Sequence, residues 1–265
     1  MIDERKSDVY PQLSLVVPLH NEERRVAALL TALQVWAEVV TYPAEVLLVS
    51  DGSTDQTDHI IRSQLNRLNS VDEGFRVKLL VRDENYGKGG AVAAGLQAAR
   101  GEWVVSCDAD LAAPLSEVDK IVALLADGAD MAIAVRRPHL RYRIYDTLVR
   151  DVVSIGLNLM IRLWTPGIVD TQCGLKGYRR RTALVLASLQ RTGGFAFDIE
   201  HLMLARRLGL EIRQVRVTWQ DVADSKIQLV PAIRGVLKDL FKLMRFNRQA
   251  PVVAPISVTP FILKN

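Results

Sequence analysis

Cysteine is scarce in this chain. There are two in 265 residues, Cys107 and Cys173, far apart and without a C-x-x-C pair. That argues against a zinc or redox centre, and both thiols are expected to be free in a reducing compartment. Long apolar runs are also missing. The best stretch, residues 147–164, is interrupted by Arg150, Asp151 and Arg162, whereas a spanning helix needs about 20 mostly apolar residues. The opening residues, MIDERKSDVY, are charged and lack an apolar centre, so they are expected not to be a secretory signal. Aromatics are 6% of the chain and do not interleave with the basic residues, so no nucleic-acid partner is expected. Two glycine fingerprints are absent as well. Gly87-Lys-Gly-Gly90 lacks the Ser or Thr that follows Gly-Lys in a Walker loop, and Val92 stands at the last glycine position of G-x-G-x-x-G.

What remains is an ordinary globular composition, 49% hydrophobic and 24% charged. A chain this long buries roughly three quarters of its unfolded surface, so it needs neither disulfides nor a structural metal. The net charge is +4, and basic residues thicken toward the C-terminus. An acidic partner is expected, either phosphates or an anionic membrane surface.

Apolar, β-branched runs at residues 13–17, 46–49, 77–81, 103–106 and 131–135 read as buried strands. Helical spacing follows the first at Val26, Leu29, Leu30 and Leu33, with Asn21 as its expected cap. It follows the second at Ile60, Ile61, Leu65 and Leu68, with Ser53 or Asp55 as a cap. A glycine-rich turn, 87–90, precedes a predicted helix over 91–100. This alternation predicts an α/β fold with a mostly parallel central sheet flanked by helices. The second half is less regular. Helices are expected over 145–164, 197–208 and 231–245, a loop over 170–174 and a strand over 211–218.

In open parallel sheets, ligands bind beyond the carboxyl ends of the strands. Four polar clusters fall there: His20-Asn21-Glu22, Asp51-Gly52-Ser53, residues 85–90, and Asp108-Ala109-Asp110. Two carboxylates spaced as Asp108 and Asp110 attract a hard divalent cation, which commonly bridges to substrate phosphates. Such an ion neutralises charge on a departing diphosphate. Asp51 is placed to accept from a nucleobase N–H or a ribose hydroxyl. The 87–90 run either brings backbone and Lys88 to a phosphate at a helix N-terminus or is simply a tight turn.

Taken together, the segment 13–23, Val49-Ser-Asp-Gly-Ser-Thr-Asp55, Asn85-Tyr-Gly-Lys-Gly-Gly90 and Asp108-Ala-Asp110 resemble the family 2 glycosyltransferases of GT-A fold. Asp170-Thr-Gln-Cys-Gly-Leu-Lys176, Phe197-Asp-Ile-Glu200 and the segment 219–226 resemble its dolichyl-phosphate β-glucosyltransferase branch. The resemblance implies a catalytic domain over 1–226, followed by an amphipathic helix and tail over 227–265. It implies that Pro18, Asn21, Glu22 and Asp51, with Asp83, hold the nucleotide of a donor such as UDP-glucose, and Lys88 of the 87–90 run joins them as a candidate. Asp108 and Asp110 would hold Mg²⁺ or Mn²⁺. Related mannosyltransferases often carry Gln two residues after the second Asp; here Ala112 stands there, which disfavours GDP-mannose.

The implied acceptor is a polyprenyl or dolichyl monophosphate, mostly a dianion at neutral pH because its second pKa lies near 6. Bringing two phosphates together demands cations, and Arg136, Arg137, Arg150 and Lys176 are the candidates. Asp198 is either a base for an alcohol acceptor or a helix cap. Asp170, Gln172 and Cys173 are expected to shape the sugar pocket, and Cys173 is not expected to act as a nucleophile. In residues 231–245, an apolar face opposes Arg234, Lys238, Lys242 and Arg245, which fits either a surface helix packed on the core or an interfacial helix. A cytoplasmic protein is therefore expected, peripheral on the cytoplasmic face of a membrane if that helix is interfacial. Competing readings are another donor sugar, a soluble acceptor, or a nucleotide-sugar-binding protein without turnover.

Overall fold

Strand β1 (Leu13–Leu19) is apolar on both faces, and a strand of that kind needs cover above and below. It obtains that cover inside a sheet. Its partners are β2 (Ala44–Asp51), β3 (Phe75–Arg82), β4 (Trp103–Ser106), β5 (Met131–Arg136), β6 (Lys176–Arg179) and β7 (Ile212–Val217). The computed structural model describes residues 10–136, 165–220 and Asp239. The sheet has seven strands in the order β3-β2-β1-β4-β6-β5-β7.

Alternation along β1 sorts the core into two layers. Leu15 and Val17 face one layer with Val46 and Leu48. Helices α1 (Val26–Ala37), α2 (Thr57–Leu68) and α4 (Val118–Ala126) supply its other side. Val16 faces the opposite layer with Leu47 and Val49. There α3 (Gly87–Ala98), α5 (Arg180–Leu189) and α6 (Phe197–Arg207) pack. Burying each such aliphatic side chain contributes roughly 1.5–3 kcal/mol, so both layers must form for β1 to be stable.

Strands β1, β2, β3 and β4 are mutually parallel, as are β5 and β7. Only β6 is reversed, antiparallel to both β4 and β5. The sequence Lys-Gly-Tyr-Arg shows no strand period, and pairing on both sides is what makes these four residues a strand. The reversal has a functional consequence. Lys176, the first residue of β6, lies opposite Ser106, the last of β4. The preceding Asp170–Gly174 loop is thereby delivered to the edge where the parallel strands end.

Two local expectations are corrected. Helix α1 starts at Val26 rather than near Asn21. Asn21 takes a left-handed φ of 53°, and its Oδ1 accepts from the Thr54 N–H at 2.8 Å, so it ties β1 to the loop after β2 instead of capping. Gly87-Lys-Gly-Gly90 is the first turn of α3, not a turn before it. Helix α2 has Gln56 at its N-cap with no side-chain cap, and Asp55, one residue earlier, accepts from the Thr57 N–H at 2.9 Å. The predicted helix 145–164 lies outside the described residues, as does 231–245 except for Asp239.

Candidate active site

The carboxyl ends of the first three strands are tied to one another. Buried Asp51, at the end of β2, accepts from the Tyr86 N–H through Oδ2 at 3.0 Å. Its Oδ1 lies 3.1 Å from the Arg82 guanidinium yet makes no hydrogen bond. The ion pair leaves this oxygen without a well-formed hydrogen bond, which is uncommon for a buried acceptor. The Arg82 guanidinium stacks 4.2 Å over the Tyr86 ring, giving Asp51 an aromatic neighbour. His20 Nδ1 lies 2.8 Å from the Asp51 carbonyl, and its Nε2 lies 3.0 Å from Asn85 Nδ2. Those partners fit a ring protonated at Nδ1.

Around this corner stand the other nucleotide candidates. Pro18 is within β1, half-buried. Glu22 holds Arg25 at 2.7 and 2.8 Å and donates its N–H to Thr57. Asp83 is exposed just past β3.

At the end of β4 the chain turns sharply. The Leu111 N–H returns to the Asp108 carbonyl at 3.2 Å, and Leu111 has φ 51°. A left-handed Leu costs roughly 1–2 kcal/mol, and such outliers gather at functional sites. The turn presents Asp108 and Asp110, both partly exposed. Asp110 Oδ1 also accepts from the buried Ala112 N–H at 3.1 Å, which limits its rotation. Lys88, in the first turn of α3, sets its ammonium 2.6 Å from Asp108 Oδ1. Burial works against the charged Lys88, but Asp108, with Asp198 and Asp110, outweighs it and holds the pKa above the ordinary lysine value.

The glycines of α3 serve packing. A Cβ at Gly87 would overlap the Gly193 carbonyl, and one at Gly89 would overlap Phe197 and the Gly194 carbonyl. Their N–H groups are partly committed as well: Gly87 donates to Asn85 at 2.8 Å and Gly90 to Gly193 at 3.1 Å. The facing loop is itself anchored by buried Glu200, which accepts from the Arg191 and Thr192 N–H groups at 2.9 Å each.

The reversed β6 completes the site. A Cβ on Gly174 would overlap every carboxylate atom of Asp108, so the Asp170–Gly174 loop presses its backbone directly onto that group. Asp170 grips Arg136 with two contacts of 2.7 and 3.0 Å. Burial pushes the Asp170 carboxyl up, and Arg136 outweighs that, leaving it below the usual range. Arg136 also lies over the Trp219 ring at 5.2 Å. Gln172 is exposed. Cys173 is fully buried and its thiol is pushed up to about 11 by burial, a poor nucleophile at neutral pH.

Lys176 is fully buried, and its ammonium binds Asp198 Oδ1 at 2.6 Å and the Cys173 carbonyl. Asp198 lies in the first turn of α6, where a carboxylate suits the helix dipole. The edge therefore brings together Lys88, Asp108, Asp110, Gly174 and Asp198, with Arg136 and Asp170 beside the same loop. Arg137 and Arg150 lie outside the described residues.

Among the described residues no three His, Cys, Asp or Glu side chains cluster as a metal cage. Two hard carboxylates still suit Mg²⁺ or Mn²⁺, because magnesium sites commonly combine one or two carboxylates with substrate phosphates and water. Sequence reasoning missed Gly174 as a contact of Asp108, Arg82 and Tyr86 as neighbours of Asp51, and the Glu200 anchor. The glycine closing Asp-Thr-Gln-Cys-Gly was the available signal for the first.

The fold is the GT-A fold of glycosyltransferases. Glycosyl transferase family 2 matches residues 14–184, and the chain belongs to that family. The chain is 35% identical over 229 residues to a dolichyl-phosphate β-glucosyltransferase of Mus musculus, covering 82% of this chain and 69% of the mouse protein. The Trichomonas vaginalis enzyme of that name is 32% identical over 245 residues, 89% of this chain and 74% of its own. A glucosyl-3-phosphoglycerate synthase from Mycobacterium tuberculosis, solved with Mn²⁺, UDP and glucosyl-3-phosphoglycerate, shares the fold. Its TM-score is 0.64 at 23% identity, covering 88% of this chain and 79% of that one. Among the described residues no helix is long and apolar enough to cross a membrane.

Proposed function

We propose that the chain transfers glucose from UDP-glucose to a polyprenyl or dolichyl monophosphate, with inversion at the anomeric carbon and with Mg²⁺ or Mn²⁺ bound. The names of the curated relatives support the sugar and the acceptor class. The observation that carries the reading is the seating of the Asp170–Gly174 loop on Asp108, which puts the more specific motif against the donor's expected diphosphate. Asp51 and the Tyr86–Arg82 stack beside it would border the nucleobase. Asp108 and Asp110 would hold the metal, which when bound neutralises charge on the departing diphosphate.

On the acceptor side, the phosphate is already mostly dianionic near pH 7, so no strong base is required. Arg136, oriented by Asp170 and 39% exposed, is the cation that would meet it, exchanging part of its Asp170 contact for the phosphate. Asp198 carries Lys176 and borders Lys88, which suits it to orient the sugar. Residues 231–245 would hold the protein peripherally on a cytoplasmic membrane face.

A radiolabelled donor panel (UDP-glucose, GDP-mannose, UDP-N-acetylglucosamine), with and without polyprenyl phosphate and with EDTA, tests the reading. UDP-glucose with lipid phosphate should give product that EDTA abolishes. Transfer preferentially from another donor, or to glycerol in place of lipid, would overturn it. Liposome sedimentation of the full chain and of a form ending at Val230 tests the membrane contact; equal binding by both would end that part.

A further inference from the structure

The strongest unexplained feature is a cation already in place on the carboxylate expected to hold the metal. Lys88 Nζ lies 2.6 Å from Asp108 Oδ1, and the two side chains are 23% and 27% exposed. Asp110 and Asp198 act on the same ammonium, and the Phe195 ring closes it in at 5.9 Å. The backbone under Lys88 is closely packed: a Cβ at Gly87 or Gly89 would overlap Gly193, Gly194 or Phe197, and the Gly90 N–H is bonded to the Gly193 carbonyl. The four-carbon stem is flexible.

We propose that Lys88 and a divalent cation compete for Asp108, and that the ammonium displaced by the cation passes to the donor's diphosphate. The inference rests on the reading of Asp108 and Asp110 as the metal site. Asp108 and Asp110 repel one another, Asp198 being already paired with Lys176, and the Lys88 ammonium offsets that repulsion. A metal at Asp108 brings a second positive charge to the oxygen Lys88 occupies, so metal binding without nucleotide is opposed. A diphosphate supplies the negative charge that accepts the released ammonium. Metal and nucleotide therefore strengthen each other's binding, and the strengthening is reciprocal. The predicted order follows: the metal enters with the nucleotide, not before it.

Mn²⁺ binding followed by electron paramagnetic resonance, with and without UDP, tests this in the full chain. Without UDP, Lys88→Met should bind Mn²⁺ roughly tenfold tighter than wild type, the scale of removing one close competing charge from a partly buried site. UDP should enhance its Mn²⁺ binding less than it does in wild type. Lys88→Arg keeps the charge and should keep the weak metal binding. The proposal is overturned if Lys88→Met, shown folded by its melting curve, binds Mn²⁺ no tighter than wild type without UDP. Asp108→Asn separates the two readings. If it loses Mn²⁺ binding while Lys88→Met shows no gain, only the role of Lys88 fails. If it binds Mn²⁺ as wild type does, the metal-site reading fails as well.

Discussion

Lys88–Asp108 and Lys176–Asp198 are ammonium–carboxylate contacts of one length, 2.6 Å, at the same edge of the sheet. Their surroundings differ. The first pair is about a quarter exposed, and the second is 0% and 7% exposed. Water can replace either partner of the first pair. Separating the second would strand a charge in the core, where desolvation exceeds anything a surface contact returns. Equal distances therefore mark opposite roles: one contact can be exchanged during a reaction, and the other holds the Cys173 carbonyl, β6 and α6 in fixed relation.

The largest effect that separates the two is expected at the buried pair. Lys176→Met leaves Asp198 buried without its partner and should cost about 3–5 kcal/mol in urea unfolding. Adding Asp198→Leu should recover much of that loss; a double variant as unstable as the single would break the distinction. Asp108→Asn should instead leave stability near wild type and lower kcat by about 10²–10³, the range for losing one group that stabilises developing charge. Steady-state kinetics with saturating lipid phosphate would measure it. Gly174→Ala should cost about 1–3 kcal/mol through overpacking against Asp108, with transfer falling alongside, read by thermal melting and the same assay.

A pH dependence belongs to the buried region. Burial, aided by Lys176, lowers the His201 pKa to about 3. The unfolded chain takes up this proton below about pH 6.5, whereas the folded chain resists until about 3. Stability is therefore full above the unfolded value and falls as pH drops through that window. His201→Gln should flatten the decline in melting temperature between about pH 6.5 and pH 4; an unchanged decline would remove His201 as its source. Asp170 acts with the same sign, since its lowered folded pKa favours the native state until acid protonates it. The smallest effect is expected at the exchangeable pair, where Lys88→Met should shift stability by no more than about 1 kcal/mol. A loss comparable to that of Lys176→Met would erase the contrast.

The amino-terminal half was open to reading because its strands are apolar runs and its site residues follow them directly. Asp51, Asp108 and Asp110 stand at strand ends, and parallel topology alone puts strand ends together. The carboxyl-terminal half was not, since β6 is four residues of mixed polarity that become a strand only between β4 and β5. Lys176 illustrates the limit. Its type and its neighbours in the chain suggested a hand for an acceptor phosphate, yet its ammonium is spent on Asp198 and a carbonyl. Nothing in a linear sequence shows which cation is buried. The glycines of α3 carried a similar ambiguity, and only the loop packed against them revealed their packing role.

By itself the sequence determined the parallel sheet, the four strand-end clusters and the carboxylate pair, because hydrophobic period and chain direction are local properties. Only the tertiary structure decided that Gly174 seats on Asp108, that Asp170 clamps Arg136, and that one lysine is buried while another stays within reach of solvent. Those outcomes depend on which distant segments meet and how much water remains between them, and that is set by packing across the sheet.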